Sequence, residues 1–365
     1  MSDKSGNFLI GAVLPARWLM EGELAPHLAL VRGLGHSAAL VPLPWSQIEP
    51  QAGQFDLPVL ARCRVALQSL RAADVEPVCI LWDDDTPAWF EERGGWTHPK
   101  AAEDFQVYAA HAAKVLAQHC SWWVPLAEAE YRLAQAYPEK GRSGYRDALV
   151  QTVRAHNDCA KALRAVRPDA SVGLSVRVFS AEPADEDSPW DCRAARRLEY
   201  RLNRRMAARL QETGGANAFD FVLASWGGVV SAWFSPRQWQ REWVLTVGED
   251  RQQISLQDAR KDSGRFDETM FALSAHRKPL VAVGEAASHS ELHGTLDAVA
   301  QRRVGEGGDW IKGFLLRAPV DRAEWERNSA LLESMRERTD EPGAAAPQPN
   351  GSAFEADFDE DTMFT

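Results

Sequence analysis

The stretch SWWVPLAE, from Ser121 to Glu128, is a continuous apolar run that ends in a carboxylate. It lacks the strict alternation of apolar and polar residues that is typical of a strand with one solvated face. An uninterrupted run of this length indicates a parallel strand that is buried on both faces. The run therefore predicts a buried parallel strand, and the acid at its end is a candidate for chemistry.

Seven further runs of the same kind recur along the chain. They are FLIGAVL from Phe8, SAALVPLP from Ser37, EPVCILW from Glu76, ASVGLSV from Ala170, FDFVLASW from Phe219, PLVAVGE from Pro279 and WIKGFLLRAP from Trp310. Amphipathic segments with apolar residues at three- and four-residue spacing lie between them, and they predict helices over 57–73, from Ala101, and over about 145–167. Strands that alternate with helices in this number predict an α/β fold, a (β/α)8 TIM barrel. A doubly wound open sheet is the alternative, but no G-x-G-x-x-G follows the first run.

The bulk composition limits the classes of partner. The chain has 365 residues, 45% of them hydrophobic, with a formal net charge of −11. This charge disfavours nucleic acid or an anionic membrane surface as the main partner. The cysteines are five, an odd number, and none shows C-x-x-C spacing. Together with an N-terminus, MSDKSGN, that does not resemble a signal peptide, this predicts reduced thiols and a cytoplasmic protein.

The composition changes near residue 338. We predict a single barrel domain over 1–338, followed over 339–365 by a linker rich in Pro, Gly and Ala and an acidic tail, FEADFDEDTMFT. The simplest interpretation of the tail is a disordered, solvating segment. The alternative is a docking peptide whose phenylalanines insert into a basic pocket of a protein partner.

Carboxylates fall at the ends of two predicted strands that face each other across a barrel. Glu128 closes the fourth run and Glu285 closes the seventh. In this fold the chemistry lies at the C-terminal ends of the strands, and two carboxylates that face one another suit glycosidic bond cleavage. For Glu130 a solvated or salt-bridged role is favoured. Because apolar ring faces suit the C–H faces of sugars, Trp226, near the end of the sixth run, is a candidate for stacking on a substrate.

Five segments, in order along the chain, carry a resemblance to a known family. They are PWSQIEP (44–50), TPAWFEERGGW (86–96), VRAHNDCAKALRAVRPDASVGLS (153–175), KPLVAVGEAA (278–287) and IKGFLLRAPVDRAEW (311–325). The sequence resembles glycoside hydrolase family 1, the β-glucosidase family of retaining enzymes, over most of residues 8–335. The resemblance implies that Glu128 is the acid/base and Glu285 the nucleophile. It also implies that Glu324 and Trp325 hold the outer hydroxyls of a sugar.

Several positions depart from the family pattern. The family's Asn-Glu-Pro is Ala127-Glu128-Ala129, and its Glu-Asn-Gly is Glu285-Ala286-Ala287. The family's sugar-binding His, first-strand Gln, nucleophile-contacting Arg and eighth-strand Trp stand here as Asp83, Leu19, Leu40 and Arg317. Loss of the Asn removes a contact to the sugar 2-hydroxyl, and loss of the Arg removes positive charge beside Glu285. Arg317 is a candidate to supply that charge.

Two functions follow from this pattern. The first is a retaining glycosidase that acts on a small carbohydrate substrate, in which Asp83 and Arg317 alter the sugar subsite. The second is a family-1-like barrel that has lost catalysis and binds sugars or proteins, with its tail docking a partner. Neither function requires a metal or an organic cofactor, and the histidines show no ligand spacing.

Overall fold

Eight parallel strands close into a barrel in the order of the sequence, from β1 to β8 and back to β1. The computed structural model describes residues 9–16, 35–137, 141–234, 278–284 and 311–317, with isolated positions between these ranges. The strands are β1 Leu9–Val13, β2 Ala38–Pro42, β3 Glu76–Trp82, β4 Trp122–Leu126, β5 Ser171–Pro183, β6 Phe221–Ala232, β7 Leu280–Gly284 and β8 Ile311–Arg317. The predicted (β/α)8 fold is confirmed, and each strand falls on one of the predicted runs.

Helices cover the barrel over the described ranges. They are α1 Trp45–Ile48, α2 Leu57–Ala72, α3 Ala88–Glu92, α4 Ala101–Leu116, α5 Ala129–Ala136, α6 Gly141–Val166, α7 Pro189–Asn203 and α8 Arg205–Gly214, with a 3-10 turn at Gly95–Thr97. Side-chain N-caps stabilise the first turn of two of these helices. The side chain of Asp56 accepts a hydrogen bond from the Val59 amide at the start of α2, and Ser188 does the same for Asp191 at the start of α7. Among the described residues, no helix is both long and apolar enough to span a bilayer.

The strand residues divide between two apolar cores. Side chains that point into the barrel form one cluster: Val13, Ala38, Leu40, Val78, Ile80, Val124, Ala127, Phe221, Leu223, Val281, Val283 and Leu315. The strand residues that alternate with these point outward and pack against the helices in a larger cluster. Over the described strands, the interior of the barrel is therefore a packed apolar core.

Strands β5 and β6 extend beyond the rim of the barrel. Strand β7 pairs with β6 only as far as Ser225, whereas β6 continues beside β5 to the pair Pro183–Ala232. A bulge at Val178/Phe179 marks the point of departure. The side chain of Asn203 stabilises the bulge with two hydrogen bonds. It accepts one from the amide of Phe179 at 3.0 Å and donates the other to the Phe179 carbonyl at 2.8 Å. The two strands thus form a wall above one side of the barrel mouth.

The predicted boundary near residue 338 and the acidic tail over 339–365 lie outside the described residues. The division of the chain into a barrel domain and a tail therefore stays a prediction.

Candidate active site

Glu128 lies directly beyond β4, where the chain turns into α5. Its backbone is left-handed, with φ of 51°, a conformation that costs free energy in a residue with a side chain. Three hydrogen bonds hold the turn: the Glu128 amide donates to Ser175 Oγ at 3.3 Å, the Ala127 amide donates to the Trp82 carbonyl at 2.9 Å, and the Glu128 carbonyl accepts from the Arg132 amide at 3.0 Å. The turn directs the Glu128 side chain toward the neighbouring strands β5 and β6.

Both carboxylate oxygens of Glu128 accept hydrogen bonds from these strands. Arg177 Nε donates to Oε2 at 2.9 Å, and Ser225 Oγ donates to Oε1. Arg177 and Ser225 are register partners in β5 and β6, so the pairing of the strands places the two donors side by side. The Glu128 side chain is 8% exposed and that of Arg177 is 14% exposed. The pair is therefore a largely desolvated ion pair.

The ring of Tyr131 packs against the guanidinium of Arg177. The guanidinium carbon lies 4.6 Å from the ring centroid, within the range of a cation–π contact. Tyr131 lies in the first turn of α5, close in sequence to Glu128, and packs with Phe179 at the base of the β5–β6 wall. The segment 128–131 thus supplies both the carboxylate of Glu128 and the aromatic ring against which its partner, Arg177, packs.

Asp83, at the end of β3, is bound to Arg132 of α5. The same guanidinium lies 3.2 Å from a carboxylate oxygen of Asp84, and Arg132 Nε donates to the Ala127 carbonyl at 2.9 Å. The side chains of Arg132 and Asp83 are 15% and 16% exposed. Arg132 therefore joins the loop after β3 to the backbone that carries Glu128, and Asp83 already has a cationic partner.

Glu130 belongs to a separate, buried cluster behind the site. Arg205 and the Tyr145 hydroxyl both donate to Glu130 Oε1, and Arg205 also donates to the Tyr145 oxygen at 2.7 Å. Burial, and then the neighbouring charge of Glu130, raise the pKa of Tyr145 well above its ordinary value, so the hydroxyl stays protonated. This cluster ties α5, α6 and α8 together. Glu130 is salt-bridged as expected, although it is buried.

The structure does not bring all the predicted site residues together. Trp226 lies on the opposite face of β6 from Ser225, where it packs with Val222 and Ala224 in the core between barrel and helices. Its role in substrate binding stays a prediction. Arg317 is the last residue of β8 and pairs in register with Val13. The side chain of Arg317, and the whole of Glu285, Glu324 and Trp325, lie outside what the structure describes, although β7 ends at Gly284, next to Glu285.

Three positions where the chain departs from the family pattern are apolar and buried in the structure. Leu40 of β2 is 2% exposed and Ala127 is 5% exposed, and both pack in the interior core of the barrel. Leu19, the third such position, is 4% exposed and packs in the outer core. No polar side chain at these positions is available to contact a sugar.

Sequence reasoning missed Arg177, Ser225 and Arg132. A signal for Arg177 was present, because SVRVF places a cation inside an otherwise apolar strand, where burial is costly unless it is paired. Its partner could not be identified from the sequence, since Glu128, Arg177 and Ser225 come from three strands whose register is not apparent. Within the described ranges, no group of three or more His, Cys, Asp or Glu residues could hold a metal ion.

A closed (β/α)8 barrel with a buried, hydrogen-bonded glutamate at the end of β4 defines the class of protein. Residues 23–215 match the model of glycosyl hydrolase family 1, and the chain belongs to this family. The resemblance seen in the sequence is thereby confirmed. The matched residues include Glu128 and its partner Arg177.

Individual relatives are similar over part of their length. Human cytosolic beta-glucosidase is 25% identical over 184 residues, which are 47% of this chain and 39% of that protein. Rat lactase/phlorizin hydrolase is 27% identical over 188 residues, 48% of this chain and 10% of that protein. The chain thus spans less than half the length of these curated relatives.

Solved structures show the same fold at lower identity. The GH1 beta-glucosidase from Exiguobacterium antarcticum superposes with a TM-score of 0.71 at 14% identity, covering 91% of this chain and 98% of that chain. The family 1 b-glucosidase from Thermotoga maritima gives a TM-score of 0.69 with the same identity and coverage.

Proposed function

We propose that the protein is a retaining glycoside hydrolase that acts on a small glycoside through a glycosyl-enzyme intermediate. The observation that carries the proposal is the position of Glu128 in a chain of this family: it closes β4 at the C-terminal end of the barrel and is held by donors from β5 and β6. Binding and catalytic groups of (β/α)8 enzymes lie at this end. The residues around Glu128 fix its rotamer, as a catalytic carboxylate requires.

Glu285 would supply the second carboxylate. Its carboxylate attacks the anomeric carbon and forms the glycosyl-enzyme, and Glu128 then takes a proton from the water that releases the sugar. A retaining mechanism requires the two carboxyl groups to be about 5–5.5 Å apart. Strands β4 and β7 lie three positions apart in the closed order of eight, which supports a meeting of their ends over the mouth.

The sugar subsite of this enzyme would differ from that of its relatives. With Ala127 and Leu40 packed in the interior core, the subsite lacks two polar contacts that the family pattern would provide. Asp83 stands where the family pattern has a sugar-binding His, and it would give the subsite an acidic edge. We infer that the glycone carries a substituent that is compatible with this acidic edge. We also infer that binding of the glycone depends less on its 2-hydroxyl than in the relatives.

Covalent labelling tests this function. The protein is incubated with a panel of aryl β-glycosides and with activated 2-fluoro glycosides, and the labelled peptide is identified by mass spectrometry. We expect a burst of released phenol and a label on Glu285 that is absent from Glu285→Gln. Glu103→Gln, on the exposed face of α4, serves as the matched control and should label normally. A panel that gives neither turnover nor label would contradict the proposal.

A second candidate function is a sugar-binding barrel without turnover. One specific observation favours it: both oxygens of Glu128 are already engaged by Arg177 and Ser225. Calorimetry with the same glycosides separates the two functions, because saturable binding without hydrolysis would support the second. The proposed docking of the acidic tail would be tested by fusing residues 339–365 to a bait, and failure to retain any partner would remove that role.

We also propose that the protein works in a reducing compartment such as the cytoplasm. Cys63, Cys79, Cys120 and Cys159 are free and buried, and Cys192 is free and partly exposed. Fractionation of the native host would test this, and recovery of the protein only from an extracellular fraction would contradict it.

A further inference from the structure

We infer that the buried cluster of Glu130, Tyr145 and Arg205 fixes the direction in which Glu128 presents its carboxylate, by holding the first turn of α5 in place. The inference rests on the proposed function and adds three buried residues to it. They are positioning residues, since they act on the reaction only through the backbone of Glu128.

The start of α5 has no side-chain cap. Glu128 is the N-cap residue, but its side chain makes no capping hydrogen bond and binds Arg177 and Ser225 instead. At most helix starts, the side chain at this position accepts a hydrogen bond from an amide of the first turn. A helix as short as α5, which has 8 residues, is marginal on its own. The position of α5 therefore depends on contacts that its side chains make with other elements.

The backbone of Glu128 also requires support. Its φ of 51° lies in the left-handed region, which is unfavourable for a residue with a side chain. A conformation of this kind persists only where the surrounding structure holds it. Because α5 begins directly after this residue, a shift of its first turn would let the Glu128 backbone relax and would redirect the carboxylate.

Three consecutive side chains hold the first turn of α5. Successive residues of a helix are rotated by about 100°, so Glu130, Tyr131 and Arg132 leave α5 in three directions. Tyr131 packs against Arg177, and Arg132 binds Asp83. Glu130 makes the third contact, with side chains of α6 and α8. The turn is thus held on three sides, and Glu130 is the residue that connects it to the helices behind the site.

The cluster is poorly suited to a purely stabilising role. The side chains of Glu130 and Arg205 are 5% and 7% exposed, and Tyr145 is buried. Within the described part of the chain, Glu130 Oε2 has no hydrogen-bond partner, and both donors approach Oε1. The free energy that is lost when two charges leave water is often not recovered by a buried ion pair. We therefore ascribe to the pair a fixed geometry between α5 and α8.

Tyr145 sets the geometry of this ion pair. Its hydroxyl donates to Glu130 and accepts from Arg205 at 2.7 Å, so it contacts both charged groups. The guanidinium carbon of Arg205 also lies 5.3 Å from the centroid of the Tyr145 ring, within the range of a cation–π contact. Tyr145→Phe removes two of the three hydrogen bonds among these side chains and leaves both charges in place. It is therefore the mildest change that loosens the cluster.

Hydrogen exchange of single backbone amides, followed by NMR, tests the inference without a substrate. In Tyr145→Phe we expect the amides of Glu128 and Arg132, which both form hydrogen bonds in the turn, to exchange at least about tenfold faster than in wild type. The matched control is Tyr137→Phe, which removes a buried hydroxyl at the other end of α5, where it accepts from the Trp96 amide at 2.9 Å.

The control should leave exchange at the Glu128 and Arg132 amides within about twofold of wild type. Unchanged exchange at these amides in Tyr145→Phe would overturn the inference. Equal acceleration in Tyr145→Phe and Tyr137→Phe would overturn it as well, because the effect would then not depend on the cluster.

Steady-state kinetics tests the consequence for catalysis. With an activated aryl glycoside, Tyr145→Phe should lower kcat by about tenfold and leave KM within about threefold, since a misdirected Glu128 impairs the chemical step more than substrate binding. Tyr137→Phe should keep kcat within about twofold of wild type. Assays are run well below the unfolding midpoint of each variant, so that loss of folded protein does not contribute. An equal fall in kcat in both variants, or none in Tyr145→Phe, would contradict the positioning role.

Two substitutions of Glu130 extend the series. Glu130→Gln keeps a side-chain oxygen that can accept from Tyr145 and Arg205, whereas Glu130→Leu keeps none. We expect Glu130→Gln to retain more of the wild-type kcat than Glu130→Leu, and the reverse order would count against the inference. If Glu130→Leu does not fold, the comparison of Tyr145→Phe with Tyr137→Phe still decides.

The two measurements separate this inference from the proposed function. Faster exchange at Glu128 in Tyr145→Phe, with a wild-type protein that neither turns over glycosides nor labels at Glu285, would contradict the proposed function and leave the support of the turn intact. Turnover and labelling in wild type, with neither exchange nor kcat altered in Tyr145→Phe, would contradict the inference alone.

Discussion

Arg132 of α5 binds the carboxylate of Asp83, which lies in the loop that follows β3. Since Arg132 Nε also donates to the Ala127 carbonyl, this one guanidinium connects the end of β3 to the turn that carries Glu128. The ion pair is thus part of the support of the candidate active site as well as of the fold.

Arg132→Met should lower both stability and activity. It removes the guanidinium that binds Asp83, whose side chain is 16% exposed, and it loosens the turn at Glu128. We expect a loss of about 2–3 kcal/mol in the free energy of unfolding, measured by denaturant titration, and a fall in kcat that exceeds any change in KM. Arg154→Met removes an exposed pair with Glu103 and should cost less than about 1 kcal/mol. Equal losses in the two variants would contradict this role of Arg132.

Ser225→Ala should reduce activity with little effect on stability. The variant removes the hydroxyl donor to Glu128 Oε1 and leaves the ion pair with Arg177 in place. We expect about a tenfold fall in kcat and a loss of about 1 kcal/mol in stability, followed with an activated aryl glycoside and by thermal unfolding. Ser69→Ala, which removes an exposed bond within α2, is the control. Wild-type kcat in Ser225→Ala would show that this hydrogen bond does not support catalysis.

Gly173→Ala should destabilise the barrel by overpacking its interior. A methyl group at this position in β5 would lie 2.4 Å from the ring of Phe221, its register partner in β6. We expect a loss of about 1–3 kcal/mol, measured by chemical denaturation, and a partial recovery in the double variant Gly173→Ala/Phe221→Leu. Additive losses in the double variant would mean that the two residues do not compete for the same space.

Stability should fall as the pH is lowered from about 6.5 to about 4. Burial lowers the pKa of His156 from 6.5 to about 4, against a smaller opposing effect of its hydrogen bond to the Ala218 carbonyl, and burial lowers that of His36 to the same extent. In this window the unfolded chain binds protons that the folded chain excludes, so stability is complete above pH 6.5 and is lost toward pH 4.

The contribution is on the order of 3 kcal/mol for each histidine. Denaturant titrations between pH 4 and 8 would measure it, and His156→Gln should show a flatter profile than wild type. His98→Gln, at a partly exposed position outside the barrel, is the control. Identical profiles for wild type and His156→Gln would refute this explanation.

The sequence predicted the barrel because its strands are buried on both faces and therefore appear as unbroken apolar runs. It placed Glu128 correctly at the end of β4 for the same reason. It did not predict the extension of β5 and β6 beyond the rim. The segments SAEP and GGVVSA are not continuous apolar runs, so their sequences do not distinguish a strand from a loop. The fold was thus predictable from local patterns that repeat along the chain.

The contacts at the site depend on register, and register is a property of strand pairs. Arg177 meets Ser225 because β5 and β6 pair in one alignment, and a shift of one residue would turn either side chain outward. Asp83 was expected to face a sugar, but its bond to Arg132 depends on how α5 leaves the turn at Glu128. Long-range geometry of this kind leaves no signal in a single sequence.

The stereochemistry of the first product tests the central claim most directly. Proton NMR of an aryl β-glycoside, recorded during the first minutes of hydrolysis, distinguishes the two anomers of the released sugar before they interconvert. Attack by Glu285 followed by water activated by Glu128 predicts that the β-anomer appears first. Initial release of the α-anomer would contradict a glycosyl-enzyme intermediate and, with it, the roles assigned to these two glutamates.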